Sequence, residues 1–391
     1  MKKILPGILI VLLIIGGGLA AIFYANGYRF STNGTGNVKF VEGTGLLVAT
    51  SKPDGARVLV NDHLTTATNN TINLAPGTYD VKIEKDGYVP WEKKIIIKRS
   101  LVSEANALLI PTAPKLEAAT TIGISNKITM DPTQTLLAYT VASNSAAKNG
   151  IYALDMNARP LIFLSDTGTQ LVSDNTDQFS LAQLTFSPNG KQIMAQLPSG
   201  TYYLLDARSA NQTPRDITNS LFVIRNDWNQ QQIQRDKKIL GSMPRNLVPV
   251  AKQFFKNPIQ SPDADKILYT ASASGTLKRV IQPQAPSTNS TPDQRKVAEG
   301  TVYVYDIKED KNYKIGPSTN NYYWHADDRH LAFADNGKVN LIEFDAGNLT
   351  TVYDGPFYDS LVFPWPDGSS LAILSRLSQG VPYNLYRIGL Q

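Results

Sequence analysis

The sequence predicts an all-β protein in two unlike parts led by one apolar helix, and three observations carry that expectation. The first 25 of the 391 residues are almost wholly apolar after Lys2 and Lys3. Between residues 45 and 112 apolar residues alternate at period two around Pro-Gly turns, as a half-buried strand requires. Beyond residue 113 a pattern of turn, strand, turn, strand and closing Asp recurs along the chain, the signature of a sheet repeated to bury faces that one copy leaves open.

The apolar run from Ile4 to Ala25 is interrupted only by glycines, one proline and Tyr24. Its length matches the roughly 20 residues that carry a helix across a ~30 Å hydrocarbon core. Lysines at its start predict a cytoplasmic N-terminus with the bulk outside, and Phe23, Tyr24, Tyr28 and Phe30 at the outer interface. Residues 1–25 are therefore expected to be a transmembrane helix acting as signal anchor. Cleavage after the small-x-small triplet Gly18-Leu19-Ala20 is the competing expectation, opposed by an apolar run that continues past it. Residues 26–44, rich in Gly, Ser, Thr and Asn, are expected to be a flexible linker.

In the next segment Leu46, Val48, Val58 and Val60 alternate around Lys52-Pro53-Asp54-Gly55, and Tyr79, Val81 and Ile83 alternate after Pro76-Gly77. Proline presets φ in such turns, and glycine supplies the backbone freedom. The stretch Pro53-Asp54-Gly55-Ala56, with Pro76, Gly77, Gly87 and Tyr88 and the following Trp91, resembles the PEGA module of bacterial envelope proteins. That resemblance implies a small β-sandwich over 45–112 with no catalytic chemistry, in an anchored interaction protein. Two departures stand out: Asp54 replaces the family's Glu, and the glycine and Thr-Pro expected near His63 to Thr68 are missing. The lysines and arginine Lys93, Lys94, Lys98 and Arg99 are expected on a solvated strand edge, where they discourage edge pairing.

From residue 113 to 391 the repeat is clearest at Phe186-Ser-Pro-Asn-Gly with Gly200 to Asp206. Copies recur at Asp131-Pro-Thr-Gln, Ser261-Pro-Asp-Ala-Asp, Trp324-His-Ala-Asp-Asp and Trp365-Pro-Asp-Gly. These units look like blades of a TolB-like β-propeller. Uneven spacing predicts six blades, one of them degenerate within 210–260, with five as the alternative count. Leu247, Val250, Ala251 and Phe254 fall at helical spacing and predict a short capping helix within 244–255. Gln282 to Lys296, rich in Pro, Ser, Thr and Asn, is expected to be a mobile loop.

Composition narrows the function classes. With 42% hydrophobic and 18% charged residues the chain is globular, not disordered. It has no cysteine, which removes disulfides, thiolate nucleophiles and thiolate metal sites. Its three histidines, His63, His325 and His330, do not form a His-Glu-x-x-His pattern, and no Gly-x-Ser-x-Gly elbow, phosphate loop or dinucleotide fingerprint occurs. No catalytic residue, cofactor or metal ligand is therefore expected. Asp263 with Asp265, or Asp327 with Asp328, could suggest a cation site, but aspartates at such turns ordinarily cap hairpins. The expected outward topology and the lack of a basic stripe interleaved with aromatics disfavour a nucleic-acid partner, so none is expected.

The candidate recognition surface is the polar-aromatic run Asn320 to His325, with Tyr322, Tyr323, Trp324 and His325 as its ligand-binding residues. The competing expectation puts Tyr322 and Trp324 between blades as core. Together these features predict a single-pass membrane protein that presents a propeller to an envelope protein or to cell-wall glycan. An envelope-polymer hydrolase with carboxylates on the channel face, and a spacer that binds nothing, are the alternatives.

Overall fold

A computed structural model describes residues 13–22, 29–32, 38–41, 43–125, 127–143, 145–157, 168–283, 287–358 and 361–390. The chain divides into two units, Met1–Leu109 with Pro286–Thr291, and Ile110–Ala285 with Pro292–Gln391.

The N-terminal expectation is corrected first. Within 1–25 the described helix, α1, covers residues 13–22. Among the described residues no helix is long and apolar enough to cross a membrane, so the expected transmembrane helix is not supported. Residues 1–12 and 23–28, with Phe23, Tyr24 and Tyr28, lie outside the described residues. The span expected as a flexible linker carries an antiparallel hairpin, β1 (Arg29–Thr32) against β2 (Val38–Val41).

The rest of the first unit is a sandwich. Strands β3 (Gly45–Lys52), β4 (Arg57–Val60), β5 (His63–Ala67), β6 (Asn70–Leu74), β7 (Gly77–Glu84), β8 (Trp91–Ile97) and β9 (Val102–Leu108) form sheets of order β6-β3-β9 and β5-β4-β7-β8. Their inward residues, among them Leu47, Ala49, Val58, Ile83, Trp91, Ile95 and Ala105, make one core. The Pro53 to Ala56 turn is clipped from inside by Thr68: its Oγ1 lies 2.7 Å from Ser51 Oγ and accepts the Ala56 N–H at 3.0 Å. The region that lacks the family's Gly and Thr-Pro thus forms strand β5, with a bulge opposite Val58 and Leu59, and supplies this clip. Gly55 (φ +70°) and Gly87 (φ +83°) hold the left-handed conformation that turns demand. Edge strand β8 is not bare as its lysines suggested. Asn289 bridges Ile95, and Ile96 N–H donates to Thr288 O at 3.2 Å, so part of the expected mobile loop lies ordered along this edge; residues 284–286 lie outside the described residues.

The second unit contains five four-stranded antiparallel sheets among the described residues. A lead strand, β10 (Leu116–Ala118), precedes blade 1, which is β11 (Ile128–Met130), β12 (Leu136–Val141), β13 (Gly150–Asp155) and β14 (Thr169–Ser173). Blade 2 is β15 (Gln183–Phe186), β16 (Gln192–Gln196), β17 (Tyr202–Asp206) and β18 (Arg215–Asp216). Two helices follow, α2 (Leu221–Ser242) and α3 (Val248–Phe254). Blade 3 takes β19 (Phe255–Gln260), β20 (Lys266–Ala271), then an inserted hairpin of β21 (Gly275–Thr276) and β22 (Lys296–Val297), then β23 (Thr301–Asp306) and β24 (Lys311–Pro317). Blade 4 is β25 (Tyr323–Trp324), β26 (His330–Asp335), β27 (Lys338–Glu343) and β28 (Thr350–Tyr353). Blade 5 is β29 (Val362–Pro364), β30 (Ser370–Ser375), β31 (Asn384–Gly389) and β10, so the first strand of the unit completes its last sheet.

Packing closes these sheets into a ring. Blade 1 meets blade 2 through Leu136, Ile151, Phe186 and Ile193, and meets blade 5 through Leu137, Tyr139, Phe363 and Leu374. Blades 3 and 4 share Leu268, Val304, Trp324 and Leu331. Blades 4 and 5 touch through Tyr323 and Phe363, whose ring centroids are 6.1 Å apart. Between blades 2 and 3 stands α2. Trp228 packs with Met194, Leu204 and Ile217 of the blade 2 side, and Ile239, eleven residues on and on the same helix face, joins Phe255, Tyr269 and Tyr305 of blade 3.

This corrects the six-blade count. The expected degenerate blade at 210–260 is a helical wedge, and the propeller has five blades among the described residues. Residues 225–240 hold no glycine, proline, valine or threonine and are rich in Asn, Gln, Arg and Lys, so they lack what a pleated sheet packs.

Candidate functional site

The turn that opens each blade positions the site. Asp131 shows how: its Oδ1 accepts the N–H groups of Thr135 at 2.7 Å and Leu136 at 2.6 Å, and its Oδ2 that of Thr133 at 2.9 Å. Asp327 does the same in blade 4, taking Arg329 and His330 N–H at 3.0 Å each, and Asp367 takes Ser369 N–H at 2.8 Å. Such caps fix the turns rigidly, and with them the end of the ring where the turns gather.

Two cavities open among the inner strands. One of about 480 Å³ is walled by β11, β15 and parts of blades 3 and 4, with Thr129, Thr185, Asn257, Asn320 and Tyr323 offering hydroxyl, amide and ring groups. The other, about 530 Å³, is bordered by the opening turns of blades 1, 3, 4 and 5 and by Arg235, Lys238 and Ile239 of α2. Pro132, Gln134, Arg235 and Ile259 belong to both linings, so the two adjoin, an inner channel and an outer mouth. Volumes of this size suit specific ligands or short chain segments. Among the described residues the linings contain one carboxylate, Asp131, and it is committed to its own turn.

The four residues singled out in sequence separate here. Tyr322 and Trp324 are buried in the core between blades 3 and 4; Tyr322 packs on Phe333 at 4.9 Å, and Trp324 Nε1 donates to Ile259 O at 3.4 Å. Tyr322 and Tyr323 nonetheless border the channel, and Trp324 borders the mouth. His325 borders neither cavity; its Nε2 meets Gly368 O at 3.0 Å. Sequence reasoning missed Arg235 and Lys238, because their segment was assigned to a worn blade. The readable signal was helical: Gln232 and Asp236 pair at i, i+4, and Trp228 to Ile239 spans three turns.

His325, Asp327 and His330 are the one group among the described residues whose ligand atoms converge as a metal site would, within 4.8 Å. Yet they satisfy one another. His330 Nδ1 lies 2.6 Å from Asp327 Oδ2, and the Asp327 N–H reaches His325 Nδ1 at 3.3 Å. Burial pushes the Asp327 carboxyl up, but the two imidazoles outweigh it and hold the carboxyl well below the usual range. Burial opposes the charge on His330 too, and Asp327 more than restores it, raising the imidazole. The group works as a turn cap with a buried ion pair.

The second acidic cluster is likewise committed. Lys266 Nζ sits 2.6 Å from both Asp265 Oδ1 and Asp328 Oδ2, tying blade 3 to blade 4. Asp265 also takes Lys308 at 2.8 Å. Burial, joined by the charges of Glu309 and Asp265, pushes Asp306 beside them up to about 6 against the Glu309 N–H and Lys266.

Comparisons with known proteins follow this division. Residues 44–112 match the PEGA domain family model. No curated protein matches the chain. Among solved structures, a protein described as TolB from Agrobacterium tumefaciens is 16% identical, with 68% of this chain and 72% of that one covered and a TM-score of 0.21. TolB from Acinetobacter baumannii is 14% identical, covering 80% of this chain and 60% of that one, with a TM-score of 0.24. The Cps50 (Swd1) β-propeller domain of Myceliophteria thermophila is 11% identical over 70% of this chain and 100% of that one, with a TM-score of 0.27. The sandwich of this chain matches the PEGA domain model, and the sheets that follow it form a β-propeller of five four-stranded blades among the described residues.

Proposed function

We propose that this chain is an envelope-associated binding protein whose propeller channel holds a protein partner without chemical turnover. The observation that carries this reading is the channel itself. Four blades converge on it with hydroxyl, amide and aromatic groups, and the one carboxylate among the described wall residues is locked into capping its turn. A hydrolase of envelope polymers needs two acidic groups about 5–10 Å apart across its substrate, and these walls give the alternative no second one. The envelope assignment is supported by the PEGA domain.

The test is site-specific photo-crosslinking. A photoreactive residue replacing Asn320 in the channel wall should give one reproducible protein adduct in the host envelope fraction, and the same residue replacing Lys191 on an exposed turn should not. Adducts that are absent, or the same from both positions, would refute channel binding.

A further inference from the structure

We infer that the channel mouth docks an acidic polypeptide segment, recognised by Arg235 and Lys238 of α2. This rests on the channel being the binding site and names the class of partner it takes.

The two cations stand one helical turn apart on α2, at i and i+3, and both border the 530 Å³ mouth. No carboxylate borders it with them. Arg235 lends Nη2 only to Pro132 O, at a long 3.3 Å, and among the described residues neither cation forms an ion pair. This contrasts with Lys266 and Arg295, each held between two aspartates in the same unit. Unpaired cations over a cavity with low-dielectric walls set a positive potential where a ligand would enter. Arg235 borders the inner cavity as well, so the attraction continues into the channel.

The remaining wall suits an extended polypeptide. Pro132, Pro262, Pro364 and Pro366, with Trp365 and Ile259, form an apolar surface lacking the prolines' N–H donors. Thr133, Gln134 and Gln260 add hydroxyl and amide groups beside it. An extended acidic peptide lays apolar stems on the prolines and offers its carboxylates to the two cations, the mode of aromatic- and proline-lined peptide grooves.

The full-length chain should be titrated against fluorescein-labelled hexaglutamate and followed by anisotropy. Saturable binding that weakens with added salt is expected, with Arg235→Gln/Lys238→Gln about tenfold weaker. The control Lys191→Gln/Arg215→Gln, which removes two exposed blade 2 cations, should bind like the parent. Near-UV circular dichroism unchanged in the double variant shows that it folds. No binding, or equal binding by all three proteins, overturns the inference, and so does tighter binding of an oligogalacturonate than of hexaglutamate. If the parent gives the Asn320 adduct but does not bind hexaglutamate, channel binding stands and the acidic mouth falls. If the parent gives no adduct, it is channel binding that fails.

Discussion

Lys266 is the sharpest test of how the ring is held. Its ammonium is 2.6 Å from Asp265 and from Asp328, with side-chain exposures of 8%, 15% and 7%. Replacing it by methionine keeps the stem but leaves two buried carboxylates facing each other. Asp265 retains Lys308; Asp328 retains the Asp263 N–H at 2.9 Å and, among the described residues, no cation within ion-pair distance. Removing one partner of a buried ion pair costs about 3–5 kcal/mol, because the survivors stay desolvated and unpaired. Lys266→Met should therefore destabilise the second unit by about that amount, and Lys266→Met/Asp328→Asn by roughly half as much, since the second change neutralises the stranded charge. Burial raises the Asp265 carboxyl, but hydrogen bonds from Lys266 and Lys308 overcome this and hold it well below its unfolded value. A depressed carboxyl contributes stability above the unfolded pKa of about 3.9 and loses it as pH falls towards the folded one, so the gap between parent and Lys266→Met should narrow below about pH 4. Urea denaturation read by hydrogen exchange at 261–271 and 323–335 would report the two blades directly. A variant within about 0.5 kcal/mol of the parent at pH 7, or a gap that does not shrink in acid, would refute the reasoning.

Two further outcomes follow from the wedge and the buried imidazole. Trp228→Ala should cost about 3–5 kcal/mol in chemical denaturation because it removes the main contact of α2 with blade 2, whereas Trp228→Phe should cost far less, since the indole N–H has no hydrogen-bond partner. His330 carries a raised pKa through Asp327, so its contribution is fully present below the unfolded value of about 6.5 and lost as pH rises through the folded one; denaturation of His330→Gln between pH 6 and 9 should show that part of the slope gone.

Local chemistry was legible in the sequence where a residue acts within its own hairpin. The Pro53 to Ala56 turn, the alternation around Val58 and Val81, and the Asp-capped blade turns need only neighbours a few residues away to take shape. The helix α3 was legible for the same reason: Leu247, Ala251 and Phe254 stand on one face, and the structure buries all three. The site residues were harder to read, because a run such as Tyr322 to His325 alternates whether it faces a channel or a neighbouring blade. The structure sends Tyr322 and Trp324 largely into the core and gives the mouth to Arg235 and Lys238, some ninety residues earlier.

By itself, then, the sequence determined that the chain folds as a small sandwich followed by repeated sheets, since period-two patterning and turn chemistry are local properties of the chain. Only tertiary structure decided that a helix stands where a sixth blade was expected, that the lead strand β10 completes the last sheet, and that a distant segment covers the β8 edge. Those outcomes depend on which buried faces meet across hundreds of residues, and no local pattern records such a meeting.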